Sequence, residues 1–270
     1  MNKKIYIIAN WKMQLTNAEA ADLAEILKNE RTKKQKNENV ELILCPSFTA
    51  LAQIGEILQQ DSSADNYRPR NDILLKLGAQ DIFYHAKGAY TGEISPAQLK
   101  ELGVTYVIVG HSERRQNQNE TDEEINQKIK ICLENNLTPI LCVGEKFEER
   151  QAGRTDLIII RQITKALQDI KLTDEQKIII AYEPVWVIGS GQAVAPAEAL
   201  HAAEVIQRLL PEFFSSAEIK NIKIIYGGSV DETNVNDFIV PGVLDGVLVG
   251  GASLIKEKFV PLIEEMSNKI

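Results

Sequence analysis

Three segments of the sequence contain residue types that could do acid–base chemistry on an anionic substrate. Lys12 lies in Ala-Asn-Trp-Lys-Met, His111 in Gly-His-Ser-Glu-Arg-Arg, and Glu183 in Ala-Tyr-Glu-Pro-Val-Trp. A carboxylate can take up a proton, an imidazole can donate a hydrogen bond, and an ammonium group can stabilise developing negative charge. Each residue also has an ordinary alternative, namely a structural carboxylate, a packed histidine or a solvated lysine. The choice depends on where the fold places them.

Each of these segments comes at the end of a short, β-rich run that is typical of a buried strand. Similar runs alternate with helical stretches along the chain, at residues 5–9, 40–45, 75–80, 106–109, 140–143, 178–183, 222–226 and 246–249. Mostly continuous apolar runs are typical of strands covered on both faces of a parallel sheet. The alternation predicts either a closed barrel or a doubly wound open sheet. In both folds the strand C-termini share one face or edge, so Lys12, His111 and Glu183 could converge there.

Helix start signals lie between the predicted strands. The pairs with capping-box spacing are Thr16 with Glu19, Thr121 with Glu124 and Thr173 with Gln176, and Ser95 before Pro96 is an N-cap and first-turn pair. Two stretches, 29–39 and 59–72, are unusually polar, and we interpret them as solvated surface connections.

Composition narrows the function classes. The chain has 270 residues, 44% of them apolar and 25% charged, which fits one globular domain over 1–270. Its formal net charge of −8 argues against nucleic acid and anionic membranes as partners. Its three cysteines (Cys45, Cys132 and Cys142) have no Cys-x-x-Cys spacing, which favours a reducing compartment, the cytoplasm, over disulfides or a zinc site. The apolar run at 5–9 is too short for a signal peptide, and no run approaches the roughly 18 residues of a membrane span.

The sequence resembles the triosephosphate isomerase family. The matching segments are 9–13, 87–95, 110–115, 181–186, 226–230 and 245–254, in the family's order and spacing. One such motif is weak, whereas six in register are specific. The resemblance implies a closed (β/α)₈ TIM barrel, which periodicity alone left open. It also implies reversible aldose–ketose isomerisation of glyceraldehyde 3-phosphate and dihydroxyacetone phosphate through an enediol(ate), in glycolysis and gluconeogenesis. No cofactor is implied, because proton transfer needs none and no Gly-x-Gly-x-x-Gly follows the first strand.

The resemblance also assigns roles to the reactive residues. It implies that Glu183 is the base and that Lys12 is a fixed cation near the phosphate and the enediolate oxygen, with Asn10 as a polar support that also binds substrate. It implies that His111 donates a hydrogen bond to the substrate oxygens as a neutral ring. Enzymes of this family are the standard example of such a neutral histidine, so that point comes from the resemblance. Ser112 and Glu113 are supporting residues, Glu113 as a partner of Lys12.

The substrate phosphate is expected to meet backbone donors. Ser229 follows two glycines after the seventh strand, and Gly250 and Gly251 follow the eighth, which is the usual barrel phosphate site. The segment 184–194 is predicted to be a lid whose Gly189 N–H joins these donors. It departs from the family at Val187, Ser190 and 192–194, and Ala195 stands where a threonine would cap the next helix better.

The resemblance implies a homodimer in which the Tyr90-Thr91-Gly92 loop reaches into the neighbouring subunit and supports its Asn10 and Lys12. Two alternatives to the isomerase remain at this stage. One is another phosphate-binding barrel, such as an isomerase or aldolase for a different phosphosugar, which would share the glycine site without the three reactive residues. The other is an inactive relative with a binding or structural role, which would be expected to lack at least one of them.

Overall fold

The strands close into a parallel barrel in chain order. A computed structural model describes residues 4–34, 39–59 and 74–269 of the chain. The strands are β1 (Ile5–Asn10), β2 (Val40–Cys45), β3 (Leu74–Ala79), β4 (Val104–Val109), β5 (Thr138–Val143), β6 (Ile178–Tyr182), β7 (Ile222–Tyr226) and β8 (Gly246–Val249). Neighbours in sequence pair in parallel, and β8 pairs with β1 through Tyr6 and Gly246. The closed barrel is therefore confirmed, and the open sheet is excluded.

Helices connect the strands on the outside of the barrel. They are α1 (Asn17–Lys34), α2 (Phe48–Gln59), α3 (Pro96–Glu101), α4 (Ser112–Asn117), α5 (Asp122–Glu134), α6 (Phe147–Gln151), α7 (Thr155–Ala166), α8 (Pro196–Leu209), α9 (Ser216–Ile219) and α10 (Lys256–Asn268). Within the described residues, no helix is long and apolar enough to cross a membrane.

The core has two layers. The inner layer fills the barrel with side chains from alternate strand positions, among them Ile8, Ile43, Ile108, Cys142 and Ala181. The outer layer packs the opposite strand faces against the helices. Burial on both faces explains why the strands are continuously apolar in sequence. Inward-facing positions alternate along each strand, so a polar residue at a strand end can point into the mouth of the barrel.

The predicted strand limits are close to those observed. β4 and β5 each begin two residues before the predicted start, because Thr105 and Pro139 interrupt the apolar pattern there. β3 runs one residue earlier than predicted, so Gln80 lies beyond its end. β6 ends at Tyr182, and Glu183 therefore begins the loop at the C-terminal face of the barrel.

Most of the helix start signals are confirmed. The Thr121 and Ser95 capping boxes both form, and Thr16 exchanges hydrogen bonds with Glu19. The prediction of a helix at Thr173 is wrong. Its backbone N–H does bond to Gln176, but only a turn forms, since β6 begins at residue 178. Ala195 precedes α8 without a side-chain cap.

The interpretation of 29–39 as a surface connection is wrong for its first part. Residues 29–34 belong to α1, because glutamate, arginine and lysine are good helix formers and nothing there breaks the helix. Residues 35–38 of this stretch lie outside the described part of the chain. So does almost all of the stretch 59–72, of which only Gln59, the last residue of α2, is described.

Candidate active site

Glu183 is a buried carboxylate at the C-terminal mouth of the barrel, with 1% of its surface exposed. Its Oε2 accepts a hydrogen bond from the backbone N–H of Ser112 at 3.0 Å. Its Oε1 lies 3.2 Å from Nε2 of His111, yet within the described residues it accepts no hydrogen bond. Leaving a buried carboxylate oxygen without a donor costs stability. The arrangement suits an oxygen that receives a proton from a bound molecule.

His111 joins β4 to α4 and is the N-cap residue of that helix. Its Nδ1 accepts a hydrogen bond from the backbone N–H of Glu113 at 3.2 Å. A ring nitrogen that accepts a hydrogen bond carries no proton, so the neutral ring holds its proton on Nε2. The short helix thereby selects the tautomer whose donor nitrogen lies beside Glu183.

Lys12 follows β1 in the left-handed region of the backbone map, with φ at 51°. Its N–H donates to Oδ1 of Asn10 at 3.1 Å, and its carbonyl oxygen accepts from Nε2 of Gln80 at 2.9 Å. Its Nζ lies 2.5 Å from Oε1 of Glu113, which follows β4. A Cβ at Gly250, after β8, would lie 3.4 Å from Cε of Lys12. Two amide side chains therefore hold a strained turn that extends Lys12 across the mouth of the barrel.

The loops after β7 and β8 bring the backbone close to these side chains. A Cβ at Gly227 would lie 2.9 Å from Cγ of Glu183, so a larger residue there would displace the carboxylate. Gly250 leads into a single 3₁₀ turn (Gly251–Leu254), and Oγ of Ser253 donates to the Gly250 carbonyl oxygen at 2.7 Å. Glycine-rich backbone of this kind can approach an anion closely.

One cavity of about 280 Å³ is lined both by these polar side chains and by the loops after β7 and β8. The residues predicted from sequence that line it are Asn10, Lys12, His111, Glu183, Gly189, Ser229, Gly250 and Gly251. Ser112 and Glu113 stand behind this wall, where they bond to Glu183 and Lys12 respectively. The structure therefore brings together, at one face of the barrel, every site residue that the sequence predicted.

Residues 184–194, the lid segment, are fixed at both ends and extend over the cavity between them. Near one end, Val187 is buried. At the other, Val194 is buried and its N–H donates to the Tyr226 hydroxyl at 3.3 Å. Oγ of Ser190 donates to the Val187 carbonyl oxygen at 2.9 Å and accepts from the Gln192 N–H at 3.1 Å. Ile188, Gly189 and Gly191 line the cavity, so the segment forms part of its wall.

Glu145 anchors the first part of the lid segment. It is fully buried after β5, and its carboxylate accepts hydrogen bonds from Nε1 of Trp186 at 2.9 Å and from the Tyr182 hydroxyl at 3.2 Å. Burial raises the pKa of Glu145 above its ordinary value, and the Trp186 and Tyr182 donors act against this shift. The guanidinium of Arg150 lies 4.2 Å from the centre of the Trp186 ring and pairs with Glu198 of α8.

Sequence reasoning missed several of these contributors. Gln80 and Glu145 are polar residues at strand ends, which is the same signal that pointed to Glu183, so position alone could have found them. Lys258 and Asp231 also line the cavity, but nothing distinguishes them in sequence from solvated surface residues. Cys142 is buried inside the barrel, and this burial raises its pKa well above the ordinary thiol value, so the thiol stays protonated.

Three exposed apolar side chains come after the C-terminal ends of strands β1, β2 and β3. Met13, next to Lys12, is 95% exposed, and Tyr90 and Phe48 are also exposed. Tyr90 belongs to an aromatic cluster in the loop after β3, where its ring stacks on His85 at 4.8 Å. Loops that follow neighbouring strands lie at the same end of the barrel, so these side chains are accessible to another protein there.

Comparison with known proteins gives one consistent result. A family model described as triosephosphate isomerase matches residues 5–266. The chain is 42% identical over 263 residues to a triosephosphate isomerase from Dictyoglomus turgidum, covering 97% of this chain and 99% of that protein. It is 44% identical over 263 residues to one from Dehalococcoides mccartyi, covering 97% and 96%. A third, from Endomicrobium trichonymphae, is 40% identical over 262 residues, covering 97% and 98%.

Proposed function

The chain belongs to the triosephosphate isomerase family, and from this premise we propose how its residues carry out the reaction. The reaction is the reversible aldose–ketose isomerisation of glyceraldehyde 3-phosphate and dihydroxyacetone phosphate, a step of glycolysis and gluconeogenesis. It moves one proton between adjacent carbons and one between their oxygens, through an enediol(ate). The site must therefore supply a base at carbon, a donor at oxygen and a means of holding the phosphate.

Glu183 is the proposed base. Its Oε1 takes the proton from the substrate carbon next to the carbonyl group and returns it to the neighbouring carbon. The observation that carries this assignment is the buried Oε1, which accepts no hydrogen bond from the described residues although it lies 3.2 Å from Nε2 of His111. Placing a carboxylate beside the substrate with little surrounding water makes it a more effective base.

His111, Lys12 and Asn10 are the proposed stabilisers of the enediolate. The Nε2–H of His111 donates to the two substrate oxygens, and the ammonium group of Lys12 stabilises the negative charge that develops on them. Asn10 holds the Lys12 turn through its bond to the Lys12 N–H and binds substrate beside it. Ser112 and Glu113 support the base and the lysine from behind.

The phosphate is proposed to bind at the glycine end of the cavity. Gly250 and Gly251 after β8 and Ser229 after β7 line this end, and Gly189 of the lid segment completes it when the lid closes. Closure would exclude water and keep the enediolate from losing its phosphate.

A coupled assay of glyceraldehyde 3-phosphate isomerisation tests the reaction and its base together. We expect the parent chain to turn over without added metal and Glu183→Gln to lower kcat by about 10²- to 10⁴-fold, the usual contribution of a positioned general base. A folded parent chain without activity would contradict the proposed reaction. An active Glu183→Gln variant would leave the reaction in place and assign its base to another residue.

A homodimer is part of the same proposal, with the Tyr90-Thr91-Gly92 loop at the interface. The exposed Met13, Phe48 and Tyr90 side chains support it. In such a dimer the loop would reach the partner's Asn10 and Lys12, so that neither site is complete alone. A single catalytic domain over 1–270 and a location in the cytoplasm, which the buried free thiols favour, complete the proposal.

Sedimentation of a charge variant tests the dimer. Met13→Glu leaves the fold of one subunit intact, since the side chain is 95% exposed, but would place a carboxylate in the interface. We expect this variant to sediment as a monomer with much reduced activity. Leu157→Glu on α7, where the side chain is 60% exposed, is the matched control and should stay dimeric. A parent chain that is fully active as a monomer would overturn the proposal.

A further inference from the structure

The charges that line the active-site cavity do not favour a dianionic substrate. The charged side chains in its wall are Lys12, Lys258, Glu183 and Asp231, so the two signs balance. The protein as a whole has a formal net charge of −8 and repels anions at long range. Attraction of a phosphate must therefore come from cations that are local and not already neutralised.

Lys12 is largely neutralised before substrate arrives. Its Nζ lies 2.5 Å from Oε1 of Glu113, so the pair as a whole presents little net charge to an approaching anion. Lys12 lies inside the cavity between the reacting side chains and Gly250, where a Cβ would lie 3.7 Å from its Nζ. Its charge can stabilise an enediolate at short range, but it contributes little at the entrance.

Lys258 is placed differently. It is the third residue of α10, is exposed, and lines the cavity together with Ala252 and Ile255, next to the glycines that follow β8. Within residues 4–34, 39–59 and 74–269 its ammonium group makes no ion pair at bonding distance. Its charge is therefore available at the glycine-lined end of the cavity.

Asp231 is the acidic residue that competes with a phosphate for Lys258. Its Oδ1 accepts hydrogen bonds from the Thr233 hydroxyl at 2.6 Å and the Thr233 N–H at 2.9 Å. These bonds lower the pKa of Asp231, and the nearby positive charge of Lys258 adds to the effect. Asp231 is thus held in place by its own turn, while Lys258 remains free to move toward a ligand.

We propose that Lys258 is a second cationic binding residue of this active site, which attracts the substrate phosphate to the backbone donors after β7 and β8. The inference rests on the proposed function and adds to it a residue that raises the rate of productive encounter. Isomerases of this family are among the enzymes whose kcat/KM reaches the diffusional limit, so a change in encounter rate appears directly in kcat/KM. Once substrate is bound, Lys258 contributes nothing to the proton transfer.

Charge variants with a matched control test this role. We expect Lys258→Gln to lower kcat/KM by about 3- to 10-fold at low salt, and Lys258→Glu to lower it further, with kcat unchanged in both. The differences should shrink as ionic strength approaches about 1 M, where screening acts over about 3 Å. Lys256→Gln removes the same charge two residues earlier in the same helix, outside the cavity wall, and should leave kcat/KM unchanged. Circular dichroism confirms that each variant is folded.

Two further measurements separate binding from turnover. Inorganic phosphate should bind Lys258→Gln more weakly than the parent by a similar factor, and Asp231→Asn should bind it more tightly. Isomerisation of glyceraldehyde, which has no phosphate, should not respond to either change. A parent chain that binds phosphate through Lys258 but does not isomerise the substrate would contradict the proposed function and support this inference. Unchanged kcat/KM and phosphate affinity in Lys258→Glu, or an equal loss in Lys256→Gln, would overturn the inference.

Discussion

The barrel holds a buried glutamate at each of its two ends, and their surroundings differ. Glu41 enters the barrel near the N-terminal end of β2 and is 2% exposed. One of its oxygens accepts the Tyr106 hydroxyl at 2.6 Å, and the other pairs with Nζ of Lys4. Glu183 at the opposite end is equally buried, but it lines the cavity, and its Oε1 lies beside the His111 ring and not beside a lysine.

The difference separates a structural carboxylate from one that is available for chemistry. Both residues carry the same group in a similar degree of burial, so burial alone distinguishes nothing. At Glu41 one oxygen accepts a hydrogen bond and the other is paired with an ammonium group, and the carboxylate links β2 to β4 and to the start of β1. At Glu183 one oxygen is held by the Ser112 N–H, and the side chain faces the cavity with no lysine or arginine paired to it among the described residues, which keeps the group in position and leaves it able to take up a proton.

Shortening each glutamate side chain by one methylene group should give the largest difference in kcat between the two ends of the barrel. Glu183→Asp withdraws the base from the cavity, and we expect kcat to fall by about 10²-fold, as for a misplacement of about 1 Å. Glu41→Asp should leave kcat within about twofold of the parent, because Glu41 touches no substrate. Steady-state kinetics on both variants decide the matter. A comparable loss of kcat at the two ends would show that they are coupled.

The free energy of unfolding should instead change more on substitution of Glu41 than on substitution of Glu183. Glu41→Leu leaves the buried Tyr106 hydroxyl without an acceptor and should lower the free energy of unfolding by about 1–3 kcal/mol. Glu183→Gln removes a buried charge that has an unpaired oxygen, so it should not destabilise the fold. Urea titrations at fixed protein concentration measure both. The distinction fails if Glu183→Gln proves the less stable of the two variants.

A second substitution should recover most of what Glu41→Leu loses. In the double variant Glu41→Leu/Tyr106→Phe no buried polar group is left unpaired, so we expect its free energy of unfolding to lie within about 1 kcal/mol of the parent. The Tyr106→Phe single variant completes the thermodynamic cycle. Additive losses would mean that the hydrogen bond between the two side chains contributes nothing of its own.

Glu145 should show the smallest effect, through pH. Its folded-state pKa is raised above the ordinary glutamate value near 4.5, chiefly by burial. The folded state therefore binds more protons than the unfolded state between those two values, and stability falls as pH rises through this window. Comparison of the parent with Glu145→Gln isolates the contribution. We expect the parent to gain stability relative to the variant on acidification, and the opposite slope would show that the Trp186 and Tyr182 bonds outweigh burial.

The sequence predicts the fold well because the fold depends on local pattern. Apolar runs locate every strand to within a residue or two, and the resemblance supplies barrel closure. The sequence also locates Lys12, His111 and Glu183, because strand ends in such folds meet at one face. It cannot separate Glu183 from Glu41, since both stand at the edge of an apolar run. That distinction depends on Tyr106, which lies 65 residues from Glu41 in the chain.

Other parts of the site depend on tertiary contacts that leave little trace in sequence. Gln80 supports the Lys12 turn from 68 residues away, and Glu145 meets Trp186 from 41 residues away. Lys258 has the appearance of any lysine in the first turn of an exposed helix, and only the folded chain shows that it borders the cavity. A pattern of residue types locates elements, whereas partners across the fold decide what each polar side chain does.

The left-handed backbone at Lys12 has a consequence for anyone who redesigns this barrel. A non-glycine residue with φ at 51° costs of order 1 kcal/mol relative to glycine, and asparagine also tolerates this region well. A procedure that chose each residue for stability alone would therefore replace Lys12 early and record the change as an improvement. The thermostable product would keep its barrel and lose the ammonium group at the cavity. At this position the local optimum of the backbone and the requirements of the reaction are in direct conflict.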